Sequence, residues 1–374
     1  MEKQTRSLSD LLITALFVGI LLSFSLFFLI HSASDRDTAV APSCMDGTRI
    51  TGDDLPYRFD RAVYQNADTL SRIREHQFLL FQAVSDPNVI VGEDDFLFEI
   101  EDGDYDYNYL EDYLGNVSFT EEAHAAILSL LNRRAAAHKE RGATYLLVVI
   151  PNAQTVYPEN MPSYINKSDQ TRLSRLEDYL TQNGFDGFLN LTKDLTLQKS
   201  DQPLYNNTEN SLNSLGVYYA YRAVCDHLEY DVAGTVSPLS YSSLSFYRHY
   251  TTGKSIARRA GVEDVVQNLT VSLSNNTTKY YHTTYQSRGL TQTTLREGDL
   301  PLGMWETPSI LLQFTNQWER LQSEPFFSNT FRRVTYQTNW SDDQEIFDLA
   351  QPSLVVQFVY ENQLSWLLPR DLVS

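Results

Sequence analysis

The chain has 374 residues, and its 29 Lys and Arg residues against 48 Asp and Glu residues give a net charge of −19. Its length allows one large domain or two smaller ones. Such an acidic chain is not expected to bind nucleic acid or to dock peripherally on anionic lipid. Its two cysteines, Cys44 and Cys225, exclude a disulfide framework and a zinc cluster, and they leave one bridge open outside the cytoplasm.

An apolar stretch over residues 11–30 contains no charged side chain and follows a polar start with Lys3 and Arg6. As a helix it spans roughly 30 Å, the thickness of the bilayer hydrocarbon core. A cleaved signal peptide is the alternative, but its apolar core is typically about 7–15 residues long. We therefore predict the following division, with the amino terminus inside: a cytoplasmic tail over 1–10, a single-pass transmembrane anchor over 11–30, a juxtamembrane linker over 31–56 and an extracytoplasmic domain over 57–374.

Helix and strand patterns alternate after the linker. Residues 119–141 read as a helix, and residues 143–150 form a continuous apolar run typical of a buried parallel strand. A second pair follows, with a helix over 168–183 and a short strand over 187–191. This alternation predicts an α/β layered sheet.

Shorter segments between these elements predict turns and hairpins. Residues 89–98 read as a strand, a Gly turn and a second strand, and residues 262–289 as hairpins. Residues 253–261 predict a short helix. The acidic, Tyr-rich insert over 99–113 reads as a surface loop, and because EF-hand spacing is absent from it we expect no metal site there.

A polar stretch over residues 205–216 precedes a helical pattern over 217–228. Turn-forming residues crowd in front of Gly216, and apolar residues then return at helical spacing, as at Val217, Tyr221 and Val224. The sequence thus predicts a loop that leads directly into a helix. Such loops commonly carry the functional site of an α/β protein.

This stretch resembles a motif of the alginate O-acetyltransferase-like branch of the SGNH hydrolase superfamily. The motif reads roughly Tyr-x-x-Thr-Asp-x-His-Trp-Asn-x-x-Gly, and its Asp and His belong to a Ser-His-Asp triad. Four positions of the motif match in register, namely Tyr205, Thr208, Asn213 and Gly216. The Asp position holds Glu209 and the His position holds Ser211, so the frame of the motif is retained without its catalytic base.

A second resemblance follows the strand over 143–150. The family has Pro-x-Lys-x-x-x-Tyr-Pro-x-x-x-Pro at the carboxyl end of that strand, and the matching residues here are Pro151, Tyr157, Pro158 and Pro162. Gln154 or Ala153 stands where a basic residue is common. Tyr157 either borders a ligand site at this edge or packs beneath the loop.

The nucleophile position falls after the apolar strand Ser309 to Gln313. The family has Gly-Asp-Ser-Phe or Arg-Asp-Ser-Phe here, and the best register places Phe314 at the Asp and Thr315 at the Ser. The family's closing strand motif, which ends here at Glu361 and Asn362, supports the register.

A hydroxyl nucleophile needs a neighbouring general base, and the base needs an orienting carboxylate. Thr315 supplies a hydroxyl, but the hydroxyl of Ser211 is no better a proton acceptor than water. Glu209 can orient a base, yet no base lies two residues on. His227, His249 and His282 are the remaining choices, and the position of His282 in the chain order fits a relocated base best.

The resemblance implies a three-layer α/β/α fold of the SGNH hydrolase type, with a mostly parallel sheet, and no cofactor or metal. It implies a polysaccharide or cell-wall glycan as ligand and a membrane-bound O-acyltransferase as partner. The positions it assigns are Glu209, Ser211 and Thr315 for catalysis, and Tyr157, Tyr205 and Asn213 for substrate binding.

Three interpretations of function follow. The first is a catalytically degenerate glycan-binding or scaffold component of exopolysaccharide acetylation or export. The second is an active O-acetyltransferase or acetylesterase that uses Thr315 with a relocated base. The third is an extracytoplasmic domain that shares only the fold.

Overall fold

The computed structural model describes residues 67–81, 83–84, 86–102, 107–199, 202–231, 236–275, 279–287, 290–295, 307–315, 317–338, 340 and 344–369. Within these residues, no helix is both long enough and apolar enough to cross a membrane. The predicted tail, anchor and linker over 1–56 lie outside the described residues, and so does Cys44. The chain divides into two units, Met1–Phe81 and Gln82–Ser374.

The described helices begin with α1, which belongs to the first unit, and all others belong to the second unit. The α-helices are α1 Ala67–Phe81, α2 Tyr109–Tyr113, α3 Glu121–Glu140, α4 Ala153–Val156, α5 Arg172–Gln182, α6 Thr192–Gln198, α7 Ser214–Asp231, α8 Ser255–Ala260, α9 Gln317–Phe327 and α10 Gln344–Ala350. Short 3₁₀ segments cover Pro158–Asn160, Tyr241–Ser243 and Glu361–Leu367.

The strands of the second unit fall into one large sheet and several two-stranded pairs. They are β1 Val89–Val91, β2 Leu97–Glu99, β3 Glu101–Asp102, β4 Tyr107–Asn108, β5 Thr144–Ile150, β6 Phe188–Asn190, β7 Phe246–Thr251, β8 Asn268–Leu273, β9 Tyr281–Ser287, β10 Leu290–Leu295, β11 Ser309–Gln313, β12 Arg333–Gln337 and β13 Leu354–Tyr360. The small pairs are β1–β2, β3–β4 and β7–β8.

The large sheet has seven strands in the order β6-β5-β13-β11-β12-β10-β9. The run from β6 to β12 is parallel, and β10 and β9 add an antiparallel hairpin to its end. The predicted α/β fold is therefore confirmed, with a mixed sheet. Right-handed parallel crossovers require helices on the faces of such a sheet, which accounts for the alternation seen in the sequence.

Hydrophobic cores cover both faces of this sheet. Because successive strand residues point to opposite faces, Val356 of β13 enters a core with α7 and α9, and Val355 enters a second core with α3 and α5. The strands β5, β11 and β13 are buried almost throughout, as the continuous apolar run in β5 predicts. The arrangement is helix, sheet and helix in three layers.

The insert over 99–113 differs from the sequence expectation. Instead of a surface loop, its described part forms β3, β4 and α2, and the side chains of Tyr107, Tyr109, Asp112 and Tyr113 are buried. Composition did not reveal this burial because Asp112 depends partly on a contact from outside the insert, the backbone N–H of Arg172.

The start of α7 is fixed by side-chain hydrogen bonds of Asn213. Its Oδ1 accepts from the backbone N–H groups of Leu215 and Gly216 at 3.0 and 3.1 Å, so it caps the helix. Its Nδ2 donates to the carbonyl of Pro203 at 2.6 Å. Gly216 lies against this preceding segment, and a Cβ there would be 2.1 Å from the carbonyl oxygen of Leu204.

This close approach predicts that a side chain larger than that of glycine at position 216 lowers the stability of the protein. In an exposed helix, Gly to Ala stabilises by up to about 1 kcal/mol. We expect Gly216→Ala instead to lower the free energy of unfolding by roughly 2 kcal/mol, because the backbone of Leu204 has to move. Urea unfolding followed by circular dichroism measures the change. The exposed Asp226 on the same helix gives the control, and Asp226→Ala should stay within about 0.5 kcal/mol of the wild type.

Candidate functional site

The predicted site residues converge on the carboxyl edge of the parallel strands. β5, β13 and β11 lie side by side, and they are followed by Pro151, Glu361 and Phe314 respectively. The loop that precedes α7 reaches the same edge, because the hydroxyl of Tyr205 donates to the carbonyl of Pro151. Ligand sites of open α/β sheets lie at this edge.

Glu209 and Ser211 form a hydrogen-bonded pair at the positions of the triad Asp and His. Ser211 Oγ donates to Glu209 Oε2 at 3.1 Å and accepts from Asn206 Nδ2 at 2.9 Å. The carboxylate therefore orients the residue two positions on, as a triad carboxylate orients its histidine. The oriented group is a hydroxyl, which cannot take a proton from a nucleophile near neutral pH.

The side chain of Thr315 follows the carboxyl end of β11. Its Oγ1 is buried and has no hydrogen-bond partner among the described residues. The preceding Phe314 is buried in the core, where its ring stacks on that of Phe358 with centroids 4.8 Å apart and planes 2° apart. The cavity beside these rings is apolar and about 20 Å³ in volume, enough for roughly one water molecule.

The strand register excludes His282 as a relocated base for Thr315. His282 on β9 pairs with Thr294 of β10, and Thr294 pairs with Arg333 of β12. Arg333 pairs in turn with Ser309 at the start of β11. His282 is therefore level with the amino end of β11, whereas Thr315 follows its carboxyl end. With strands about 4.8 Å apart and residues about 3.3 Å apart along a strand, the two residues are separated by roughly 20 Å or more.

The three residues predicted to bind substrate lie beneath the edge. Tyr205, Tyr157 and Asn213 are buried, with 0%, 5% and 3% of their surfaces exposed. The hydroxyl of Tyr157 accepts from the backbone N–H of Leu204 at 2.9 Å, and Asn213 caps α7. In this structure the three side chains support the loop, and a substrate contact for them stays a prediction.

A buried polar network at the same edge was not predicted from the sequence. Glu361, at the end of β13, accepts from the backbone N–H of Asn152 at 2.7 Å and from the hydroxyl of Thr155 at 2.8 Å. Asn152 Nδ2 donates to the hydroxyl of Tyr107 at 3.2 Å, and Tyr107 donates to the carboxylate of Asp112. The Glu of the closing strand motif was the one sequence signal that pointed here.

This network is joined to the loop before α7 by one residue. Asn210 Oδ1 accepts from the backbone N–H of Ala153 at 2.8 Å, and its Nδ2 donates to Asn152 Oδ1 at 3.1 Å. The residue between Glu209 and Ser211 thus connects their pair to the segment after β5. The two matched motifs are in direct contact.

The surroundings of both carboxyl groups of the network, Glu361 and Asp112, favour their protonated forms. Burial, assisted by the charge of Asp112, raises the pKa of Glu361 from its ordinary value of 4.5 to about 7, against the lowering effect of its hydrogen bonds from Asn152 and Thr155. Burial likewise raises the pKa of Asp112. Perturbed acids of this kind are common at functional sites of α/β proteins.

A polar cleft of about 490 Å³ lies between the start of α7, α9 and the antiparallel β7–β8 pair, whose connection contains α8. We refer to the β7–β8 pair as a hairpin and to the cleft as the hairpin cleft. Its lining residues are Ser214, Tyr247, Ser272, Leu273, Ser274, Asn275, Lys279, Leu321, Gln322, Pro325 and Asn329. Ser214 follows Ser211 closely in the chain, so the cleft is next to the altered triad positions. Among the described residues, no group of acidic, histidine or cysteine side chains is placed to hold a metal ion.

The three-layer architecture and the loop at the carboxyl edge define an SGNH hydrolase-like α/β protein. The family model described as SGNH hydrolase-like domain, acetyltransferase AlgX matches residues 89–300, which is more than half of the chain. The chain belongs to this family. The matched segment includes Glu209 and Ser211 and ends before Thr315.

Several solved structures are similar to this chain. The O-acetyltransferase domain of Pseudomonas putida AlgJ has 14% sequence identity and a TM-score of 0.46, with 76% of this chain and 95% of that chain covered. Bacillus cereus PatB1 has 9% identity and a TM-score of 0.50, with 68% and 93% covered. Pseudomonas aeruginosa AlgX has 14% identity and a TM-score of 0.45, with 73% and 62% covered. The likeness to PatB1 concerns the fold, and a comparison with curated proteins gives no match.

The raised pKa of Glu361 predicts a pH dependence of stability. The folded state holds this proton more tightly than the unfolded state, so the stabilisation is complete below pH 4.5 and is lost as the pH rises to about 7. We expect the free energy of unfolding of the wild type, relative to that of Glu361→Gln, to fall by on the order of 3 kcal/mol across this range.

Urea unfolding of both proteins from about pH 5 to about pH 8 measures this difference. The Gln side chain keeps an oxygen that can accept from Asn152 and Thr155, so the comparison isolates the ionisation. If the difference between the two proteins stays constant with pH, the inference that folding raises the pKa of Glu361 is wrong.

Proposed function

We propose that this chain is a catalytically inactive member of its family that binds a polysaccharide or cell-wall glycan. In this role it serves as a binding or scaffold component of glycan O-acetylation or export. The main support is the hydrogen bond from Ser211 to Glu209, because it occupies the place where a triad needs a base. The Oγ1 of Thr315, which is buried and has no hydrogen-bond partner among the described residues, adds a second reason, since a nucleophile has to reach its substrate.

The link to acetylation comes from the family. The family description refers to an acetyltransferase, and the similar Pseudomonas putida structure is named as an O-acetyltransferase domain. A chain that keeps this fold without a base can still bind the family's type of ligand, because binding requires shape and hydrogen-bonding groups rather than proton transfer.

The proposal includes a single-pass anchor over residues 11–30, with the domain outside the cytoplasm. Its support is the length of the uncharged apolar stretch and the positive charges of Lys3 and Arg6 before it. The expected partner is a membrane-bound O-acyltransferase, which the family resemblance implies. An anchored domain would hold its glycan close to such an enzyme.

The absence of catalysis is testable with Thr315→Val, which removes the hydroxyl and keeps the shape of the side chain. We expect the wild type and the variant to hydrolyse 4-nitrophenyl acetate and acetylated polysaccharide no faster than a buffer blank. Because no described residue pairs with this buried hydroxyl, we also expect the variant to be as stable as the wild type or more stable by about 1 kcal/mol. Hydrolysis by the wild type that Thr315→Val abolishes would establish the active-enzyme interpretation instead.

The anchor is testable by fractionation of cells that express the full chain. We expect the protein to remain with the membranes after an alkaline carbonate wash, and a variant that lacks residues 1–34 to be released. External protease should digest the domain of the full chain in spheroplasts. A full-length protein found in the soluble fraction would contradict the anchored form of the proposal.

A further inference from the structure

We infer that the hairpin cleft binds an uncharged, hydroxyl-rich segment of a polysaccharide, with the ring of Tyr247 as the surface on which a sugar stacks. This inference rests on the proposed glycan-binding function and adds its location and its ligand class. A volume of about 490 Å³ is within the usual range of ligand sites. Thr315 and Phe314 do not line the cleft.

Tyr247 is exposed and held in place at the same time. About half of it, 51%, is exposed, and it lines the cleft. On β7 it shares a face with His249, and the two rings stack with centroids 5.0 Å apart and planes 26° apart. Its cross-strand partner on β8 is Ser272, another lining residue. A ring fixed in this way loses little conformational entropy when a ligand packs against it.

The rest of the cleft offers hydroxyl and amide groups. Ser214 Oγ, at the start of α7, donates to Gln322 Oε1 of α9 at 2.7 Å, so the two helices present joined polar side chains. The hairpin side adds Ser272, Ser274 and Asn275. Groups that both donate and accept match the hydroxyls of a sugar, which also do both.

The charges favour an uncharged ligand over a polyanion. Among the lining residues that the structure describes, Lys279 is the one charged residue, and its Nζ lies 5.8 Å from the centroid of the Tyr281 ring. The whole chain has a net charge of −19, which repels an approaching polyanion. A single ammonium group, screened over about 10 Å at 0.1 M salt, does not reverse this field.

The β8 strand that lines the cleft is hydrogen-bonded to the loop before α7, which carries the matched family motif. Asn268 and Leu269 of β8 hydrogen-bond to the loop before α7, through the side chains of Thr208 and Asn207 at 2.9 and 2.6 Å. The hairpin therefore has a fixed position beside Ser214. A cleft formed by rigidly held elements is preorganised for a ligand.

Affinity electrophoresis of the full chain in detergent tests the inference, with neutral dextran, mannan and hydroxyethylcellulose and with anionic alginate as probes. The variants are Tyr247→Ala and, as matched control, Tyr250→Ala. Tyr250 is 58% exposed on the same strand and points to the opposite face. Thermal unfolding of both variants checks that they fold, and their exposure predicts that they do.

We expect at least one neutral polysaccharide to retard the wild type, and retardation to persist in about 0.5 M NaCl, where charge interactions are screened. We expect Tyr247→Ala to weaken this binding by about tenfold or more, and Tyr250→Ala to change it by less than about twofold.

The possible failures are distinguishable. Binding of alginate alone, lost in high salt, would overturn the uncharged ligand class and leave the proposed glycan binding intact. Neutral binding that Tyr247→Ala does not weaken would place the site elsewhere. If no polysaccharide binds, both the inference and the binding role in the proposed function are wrong, whereas the ester assay judges the loss of catalysis independently.

Discussion

The second unit depends on a buried polar loop, Asn206-Asn207-Thr208, in which no residue is more than 6% exposed. A buried loop is stable only if its polar groups find partners inside the protein. The backbone carbonyl of Asn207 accepts from the N–H of Leu97 on β2, and its Nδ2 donates to the carbonyl of Asp95. Thr208 accepts from the backbone N–H of Lys254 before α8 and donates to Asn268 on β8. One short segment thus holds two hairpins and a helix against the edge of the sheet.

This dependence explains which motif positions are retained. Each retained position contacts the backbone. Tyr205 donates to the carbonyl of Pro151, and Asn213 caps α7. Gly216 has no Cβ, so the carbonyl of Leu204 can lie close to it. Glu209 and Ser211 pair with each other, and Ser211 Oγ also accepts from Asn206 Nδ2 in the buried loop. The frame positions thus hold the backbone, whereas the pair adds side-chain hydrogen bonds within one loop. Retention of the frame is evidence for the fold, and the function has to be argued from the side chains that remain exposed.

The sequence predicted the elements whose signal is local. The apolar run of β5, the helix after Gly216 and the β1–β2 turn are confirmed, and Asp95 in that turn has a φ of 61°, a conformation that favours the Gly of the family motif. The network around Glu361 was missed because its partners are far apart in the chain, and burial of an acid cannot be inferred from composition alone. The hairpin cleft was missed for a similar reason, since it is formed where β7, β8 and α9 meet.

The proposed loss of catalysis has a counterpart in the core. Phe314 stands where the family has an Asp, and it stacks on Phe358 with its side chain 3% exposed. A carboxylate there would replace an aromatic contact with a buried charge, which is unfavourable unless a partner is present. Introducing a base at Ser211 and a serine at Thr315 would thus leave the nucleophile's surroundings apolar. The apolar surroundings of Phe314 therefore support the proposed inactive role, and a binding role depends on polar groups at the surface. The hairpin cleft is the polar, preorganised part of that surface next to the retained frame.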